Sequence, residues 1–288
     1  MTVAAGNLTR AAIRAQPDWL RQVPRDLRLP DGRVLYTGCG TSFHAAQTGG
    51  EAVQALEAVL APPSADLLVL VSHEGTTPST LEAARAFGGP RWLVTGAPQS
   101  PLAELCDEVI QATPEVERSW CHTASYTCAV AALAALRGED VEWLADAVEA
   151  ALELADPVSG HERWLVAGAG RDWPTAQEAA LKLREGAFVA AEAHHTEQLL
   201  HGHLAAVDEH VRCFLLEGEG RAAERAHDAA SALRELGCDV TLVPSVHPVA
   251  DVVRFQLLTV DLAQARGVDP DRIRRDDARW ARARAVYR

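Results

Sequence analysis

The segment Arg33-Val34-Leu35-Tyr36-Thr37-Gly38-Cys39-Gly40 is an apolar run that ends in Gly-x-Gly, and Arg163-Trp164-Leu165-Val166-Ala167-Gly168-Ala169-Gly170 repeats that design 130 residues later. A shift of that size is about one domain length, so the chain reads as two copies of one module. Each run leads through a polar turn into an alanine-rich stretch with helical character. In the first copy, 67–71, 91–94 and 108–110 read as further short buried strands, alternating with helices over 80–87, 101–106 and 127–136. In the second copy, 211–216 and 240–243 read as strands, with helices over 173–186, 221–236 and 249–267. Strands separated by helices predict parallel pairing with helices on both faces of each sheet.

Composition fits that reading. Hydrophobic residues make up 48% of the 288-residue chain but aromatics only 5%, so the apolar mass is mostly Ala, Leu and Val, as in Ala-rich helices packed on Val/Leu strands. The formal net charge of −13 argues against nucleic acid and anionic membranes as partners, since both need a basic footprint. It does not exclude a small phosphorylated ligand, because local amides and dipoles set the potential inside a pocket. The six cysteines are scattered without a CxxC pair, so neither a zinc ribbon nor a redox motif is predicted. The start of the chain lacks a signal segment and no uncharged run reaches membrane-spanning length. The expectation is a reduced, cytoplasmic protein. Residues 8–23 predict a helix outside the repeat, giving expected divisions of 1–24, 25–145 and 146–288, with the carboxyl tail in the last.

In an open parallel sheet, ligands sit beyond the carboxyl ends of strands, where loops enter helix N-termini. Two loops of the first copy have suitable chemistry: Gly38-Cys39-Gly40-Thr41-Ser42 and Ser72-His73-Glu74-Gly75-Thr76-Thr77. Small residues let the backbone approach an anion, and hydroxyls and helix amides donate to it. Either loop alone is equally consistent with ordinary helix capping.

Gly38-Cys39-Gly40-Thr41-Ser42 followed by Ser72-x-x-Gly75-x-Thr77, and then Glu178-Ala179-Ala180-Leu181-Lys182-Leu183-Arg184-Glu185, Ala191-Glu192-Ala193 and Glu197-x-x-x-His201-Gly202, resemble the two sugar isomerase (SIS) domains of the double-SIS sugar-phosphate isomerases. The match is to the isomerase half of the glucosamine-6-phosphate synthases, and it runs from about Val34 to about Arg275 without their glutaminase domain. The resemblance implies an α/β fold of two tandem SIS domains, each a doubly wound, flavodoxin-like parallel sheet flanked by helices, in a homodimer whose active sites are completed across the dimer. It implies a phosphorylated hexose or amino sugar as substrate and no cofactor or metal. Ser42, Ser72 and Thr77 would bind the phosphate, with Gly40, Thr41, His73 and His122 beside it. Glu185 would be the base that moves a proton between two sugar carbons, His201 would open the ring, and Lys182 would support Glu185. Aldose–ketose interconversion needs those residue types: a carboxylate or imidazole near the carbon-bound proton and a donor for the enediolate oxygen.

The departures from the family pattern fall in the ligand loops. Glu74 stands where the synthases have a phosphate-binding serine, and His73 replaces a glutamine. His122 and Ala124 break a Val-Ala-Ser-Thr-Lys run, His203 replaces a proline, and the tail Asp269-Pro270-Asp271-Arg272-Ile273-Arg274 lacks a late lysine. They point away from the synthase itself, toward phosphosugar isomerases, amino-sugar-phosphate deaminases and fructosamine-phosphate deglycases, or a sensor that binds the sugar without turnover. The plain structural alternatives are a Glu185–Lys182 helix pair, His201 as a terminal cap, and His194, His195, His201 and His203 as a surface group, their spacing matching no common zinc motif.

Overall fold

The computed structural model describes residues 5–154 and 156–287. It divides into two compact units, each built on its own parallel sheet.

The first unit comprises Leu8–Ala150 and Asp271–Arg288. Its strands are β1 (Val34–Gly38), β2 (Ala52–Gln54), β3 (Leu67–Val71), β4 (Arg91–Thr95) and β5 (Glu108–Gln111), in the order β2-β1-β3-β4-β5 with every pair parallel. The chain enters in the interior at β1, steps outward to β2, then crosses to β3 on the other side. All five residues of β3 are buried, as expected where helices cover both faces. The helices are α1 (Asn7–Leu20), α2 (Thr41–Gly49), α3 (Ala55–Leu60), α4 (Pro78–Ala86), α5 (Ala124–Leu136) and α6 (Leu144–Leu152), with α12 (Ala278–Arg284) in the tail. Every residue of α5 is buried, so its alanine-rich, all-round apolar sequence makes a core helix. Leu35, Leu68, Leu70 and Leu93 form the sheet side of one core, closed by Ala84, Phe87 and Leu102.

The second unit comprises Ala151–Pro270 with the start of the chain up to Asn7. Its strands are β6 (Arg163–Gly168), β7 (Ala190–His195), β8 (Val211–Leu216) and β9 (Asp239–Val243), in the order β7-β6-β8-β9, again all parallel. Its helices are α7 (Trp173–Ala187), α8 (Thr196–Leu200), α9 (Arg221–Glu235), α10 (Pro248–Asp251) and α11 (Val253–Arg266). Strand alternation sends side chains to opposite faces. Trp164, Val166, Phe214 and Leu216 pack with Ala179, Leu183, Phe255 and Leu258 of α7 and α11. Leu165, Ala167, Cys213 and Leu215 pack with Ala229, Ala230 and Leu233 of α9.

Several features differ from the sequence expectation, β2 and α3 among them, and three bear on the argument below. Residues 101–106 make only a 3₁₀ turn at Ala103–Leu105, because β5 starts two residues later and leaves no room for α-helical turns. β7 was not anticipated: Ala190–His195 is polar and half exposed, yet it pairs with β6 as an edge strand. The tail after Asp271, expected with the second module, groups with the first unit. Its anchor is the buried Asp271 carboxylate, which accepts from the Leu8 and Thr9 amides (3.0 and 2.7 Å) and the Thr9 hydroxyl (2.7 Å).

Candidate active site

The chain of the first unit reverses its winding between β1 and β3, and the crevice outside the carboxyl ends of such strands is where α/β sheets take ligands. The turn after β1 is tight: a Cβ on Gly38 would lie 2.8 Å from the backbone carbonyl carbon of Ser42, so only glycine lets α2 start this close to the strand. Gly40 adopts φ +56, and the Phe43 and His44 amides donate to its carbonyl, setting Thr41 and Ser42 at the first turn of α2. Beyond these strand ends lies a narrow cleft. It is lined by Thr41 and Ser42 from α2, His73 after β3, Thr95 and Gly96 at the end of β4, Thr113 after β5, and His122, Ser125 and Tyr126 before and along α5.

The cleft thus gathers four of the sequence-predicted residues, Thr41, Ser42, His73 and His122. Gly40, Ser72 and Thr77 are outside its lining. Ser72 is buried and its amide donates to the Val94 carbonyl, and Thr77 occupies the N-cap position of α4. Thr95, Thr113 and Ser125 are polar contributors that the sequence reading missed. They sit at strand and helix ends with no distinguishing pattern around them.

Glu117 is the larger surprise. It is buried, and its carboxylate accepts from the Thr123 amide and hydroxyl (2.8 Å each) and the Ser125 amide (2.8 Å). It therefore occupies the N-terminus of α5, where free amides favour an anion. The usual capping pattern places the acid inside the first turn, whereas Glu117 reaches in from a preceding loop, so spacing gave no signal. The Glu117 amide in turn donates to Nε2 of His73 at 2.8 Å, which puts the His73 proton on Nδ1. Burial, and then the neighbouring His122, hold the His73 pKa down at about 4. The His122 ring stands edge-on to His73 with centroids 5.1 Å apart.

In the second unit, α7 carries the proposed base. Lys182 is wholly buried, and its Nζ lies 2.9 Å from Oε2 of Glu185 and 3.3 Å from Oε1 of Glu178. Glu178 is also wholly buried, whereas the Glu185 side chain is 30% exposed. Helical spacing (i, i+3 and i, i+4) aligns all three on one face. Glu178 belongs to the motif quoted above but received no role there. His201 ends α8 on the surface, 70% exposed, with Nε2 2.7 Å from Oε1 of Glu197, which also pairs with Arg225.

Near the ends of β6, β8 and β9, two buried carboxylates are held by hydrogen bonds. Buried Asp172 accepts from the Ser245 hydroxyl at 2.8 Å, and Ser245 Oγ accepts from the Gly218 amide at 3.2 Å. Buried Asp251 accepts from the Val246 amide at 2.9 Å, and desolvation pushes its pKa up to about 7. The two units differ in this respect: hydroxyls and imidazoles line the cleft of the first, and buried carboxylates sit near the strand ends of the second.

Both units are parallel α/β sheets flanked by helices, an SIS-like fold. Residues 159–244 match the SIS domain family. Over 89% of its length the chain is 27% identical to the isomerizing glutamine–fructose-6-phosphate aminotransferase of Zymomonas mobilis, and it spans 54% of that protein, about half the length of the curated relatives it matches. In fold it is similar to the C-terminal domain of glucosamine-fructose-6-phosphate aminotransferase from Francisella tularensis (TM-score 0.82, 20% identity, 94% of this chain and 99% of that one). It is also similar to glucosamine-6-phosphate deaminase from Thermotoga maritima (TM-score 0.76, 20% identity, 92% and 97%). Among the described residues no helix is long and apolar enough to cross a membrane.

Proposed function

We propose that the protein is a phosphosugar isomerase or amino-sugar-phosphate deaminase built from two SIS modules, about 25–145 and 146–270, and acting as a cytoplasmic homodimer on a phosphorylated hexose or amino sugar. The observation that carries this is the arrangement on α7: a partly exposed carboxylate, Glu185, held by the wholly buried ammonium of Lys182. The ion pair holds the Glu185 carboxylate in one orientation while leaving part of it open to solvent. The relatives named above, which include an isomerizing aminotransferase and a deaminase, support the same class of chemistry.

In this reading the sugar opens, with His201 moving the ring proton and Glu197 orienting its imidazole. Glu185 removes the proton from the carbon next to the carbonyl, and the electron pair shifts to the carbonyl oxygen to give an enediol, or an enamine from an amino sugar. Return of the proton to the neighbouring carbon completes isomerisation. With an amino sugar, hydrolysis of the resulting imine by water releases ammonia. Phosphate binding belongs to the first unit, to Thr41, Ser42, His73 and His122 in its hydroxyl-lined cleft and to Gly40, Ser72 and Thr77 in the loops after β1 and β3.

Thermal unfolding with fructose 6-phosphate, glucosamine 6-phosphate, a fructosamine phosphate and their unphosphorylated partners tests this. A ligand at about a hundred times its Kd stabilises by about 2.7 kcal/mol. The expected result is stabilisation by phosphosugars alone in the wild type and in Glu185→Gln, with solvent deuterium entering the sugar only with the wild type. Stabilisation by neutral sugars alone, or by none, overturns the reading.

A further inference from the structure

No lysine or arginine is among the residues lining the cleft of the first unit. A phosphate monoester carries nearly two negative charges at pH 7, its second pKa being about 6. Such a ligand would meet hydroxyls, two imidazoles and, behind them, the buried Glu117 carboxylate. Neutral donors alone compensate a desolvated dianion poorly.

His73 cannot supply the missing charge. Its Nε2 is committed to the Glu117 amide, and burial disfavours its imidazolium. His122 is placed differently. Its Nε2 is shut off from solvent, has no hydrogen-bond partner, and belongs to a residue lining the cleft. Thr113 Oγ1 and Ser125 Oγ, in residues 2% and 6% exposed, line the same cleft and are also unpartnered. Buried polar atoms are ordinarily paired, so three of them around one cleft mark the place of a polar ligand. The groups facing His122 are the neutral His73 at 5.1 Å, Glu117 beyond it, the Tyr126 phenol on α5, and Trp120. The Arg275 guanidinium stacks on the Trp120 ring at 3.5 Å.

We infer that this cleft takes up a proton when it binds a phosphate monoester: His122 becomes the imidazolium that donates through Nε2, and the Thr113 and Ser125 hydroxyls donate beside it. Imidazole is the side chain whose charge changes near neutrality, so binding weakens as pH rises. The inference rests on the phosphosugar reading and adds to it a charge requirement set by one residue.

Calorimetric titration with fructose 6-phosphate between pH 7 and 8, in two buffers of different ionisation enthalpy, counts the protons exchanged. The free ester is dianionic there, so a proton taken up goes to the protein or to the bound ester, and its loss in His122→Gln assigns it to the imidazole. Uptake approaching one proton is expected, with affinity falling about tenfold per pH unit at the upper end. His122→Gln should bind about tenfold more weakly at pH 7 and take up no proton. Wild-type binding without uptake, or uptake that persists in His122→Gln, overturns the inference while leaving the phosphosugar reading intact. The wild-type titration stands even where the variant does not fold. No binding of fructose 6-phosphate, glucosamine 6-phosphate or inorganic phosphate by the wild type overturns both.

Discussion

Lys182 Nζ lies 2.9 Å from Glu185 Oε2 and 3.3 Å from Glu178 Oε1, so a single wholly buried ammonium serves one buried and one partly exposed carboxylate. The two carboxylates have unequal roles. Glu178, out of solvent, pairs with Lys182, and Glu185 is open to solvent. Lys182→Met removes a buried ion partner of Glu178 and should cost about 3–5 kcal/mol of stability. Glu185→Gln should cost far less, because its side chain is partly solvated, yet abolish deuterium exchange into the sugar. Urea unfolding of both variants, read beside the exchange assay, checks the split. Equal destabilisation by the two would reduce the trio to a structural ion network.

His201 makes the opposite prediction on stability. With its side chain 70% exposed and its partner Glu197 already held by Arg225, His201→Ala should change unfolding free energy by less than about 0.5 kcal/mol. Turnover on a cyclic sugar phosphate should fall about 100-fold. Unchanged turnover would leave His201 as a terminal residue of α8 and nothing more.

Gly96 closes the floor of the cleft. A Cβ there would lie 2.4 Å from His73 Cε1 and 2.6 Å from Thr113 Oγ1, both in buried side chains. Gly96→Ala should therefore displace the imidazole, cost about 1–3 kcal/mol and abolish phosphosugar stabilisation. Gly88→Ala in the same unit, where a Cβ meets nothing within 4 Å, is the control expected to be neutral in both measurements.

Stability should depend on pH in two opposed ways. His73 has a folded pKa of about 4 against an ordinary value of 6.5, so its contribution is full above about pH 6.5 and is lost as pH falls toward 4. Asp251 has a folded pKa of about 7 against 3.8, so its contribution is full below about pH 3.8 and is lost as pH rises through 7. Asp251→Asn keeps an acceptor for the Val246 amide and removes the second loss. Its advantage in Tm over the wild type should grow from little at pH 4 to several degrees at pH 8. A Tm difference that is flat across that range would contradict the buried, protonated state of Asp251.

Residues 67–71 were readable as a strand because a parallel sheet covered on both faces demands an unbroken apolar run, and only such runs are that short and that apolar. Ala190–His195 was not readable, since an edge strand tolerates glutamate and histidine and is fixed by its hydrogen bonds to β6. That Thr41, Ser42 and His73 line one cleft was legible because they follow the carboxyl ends of buried strands, whereas His122 was singled out by the family resemblance. Glu117 was not: its partners lie six to eight residues away across a non-helical turn, where no periodicity points.

By itself, then, the amino-acid sequence determined the strand–turn–helix segments that follow each Gly-x-Gly, the parallel α/β character of the chain, and the helix face shared by Lys182 and Glu185. Those are consequences of local periodicity and steric preference, which act over a few residues. Only the tertiary structure decided that His122 joins Thr41, Ser42 and His73 in lining one cleft, and that Asp271 returns the tail to amides 262 and 263 residues earlier in the chain. Burial and long-range pairing set those outcomes. Desolvation makes an unpartnered buried charge or donor costly, and which groups become partners depends on where the folded chain brings them.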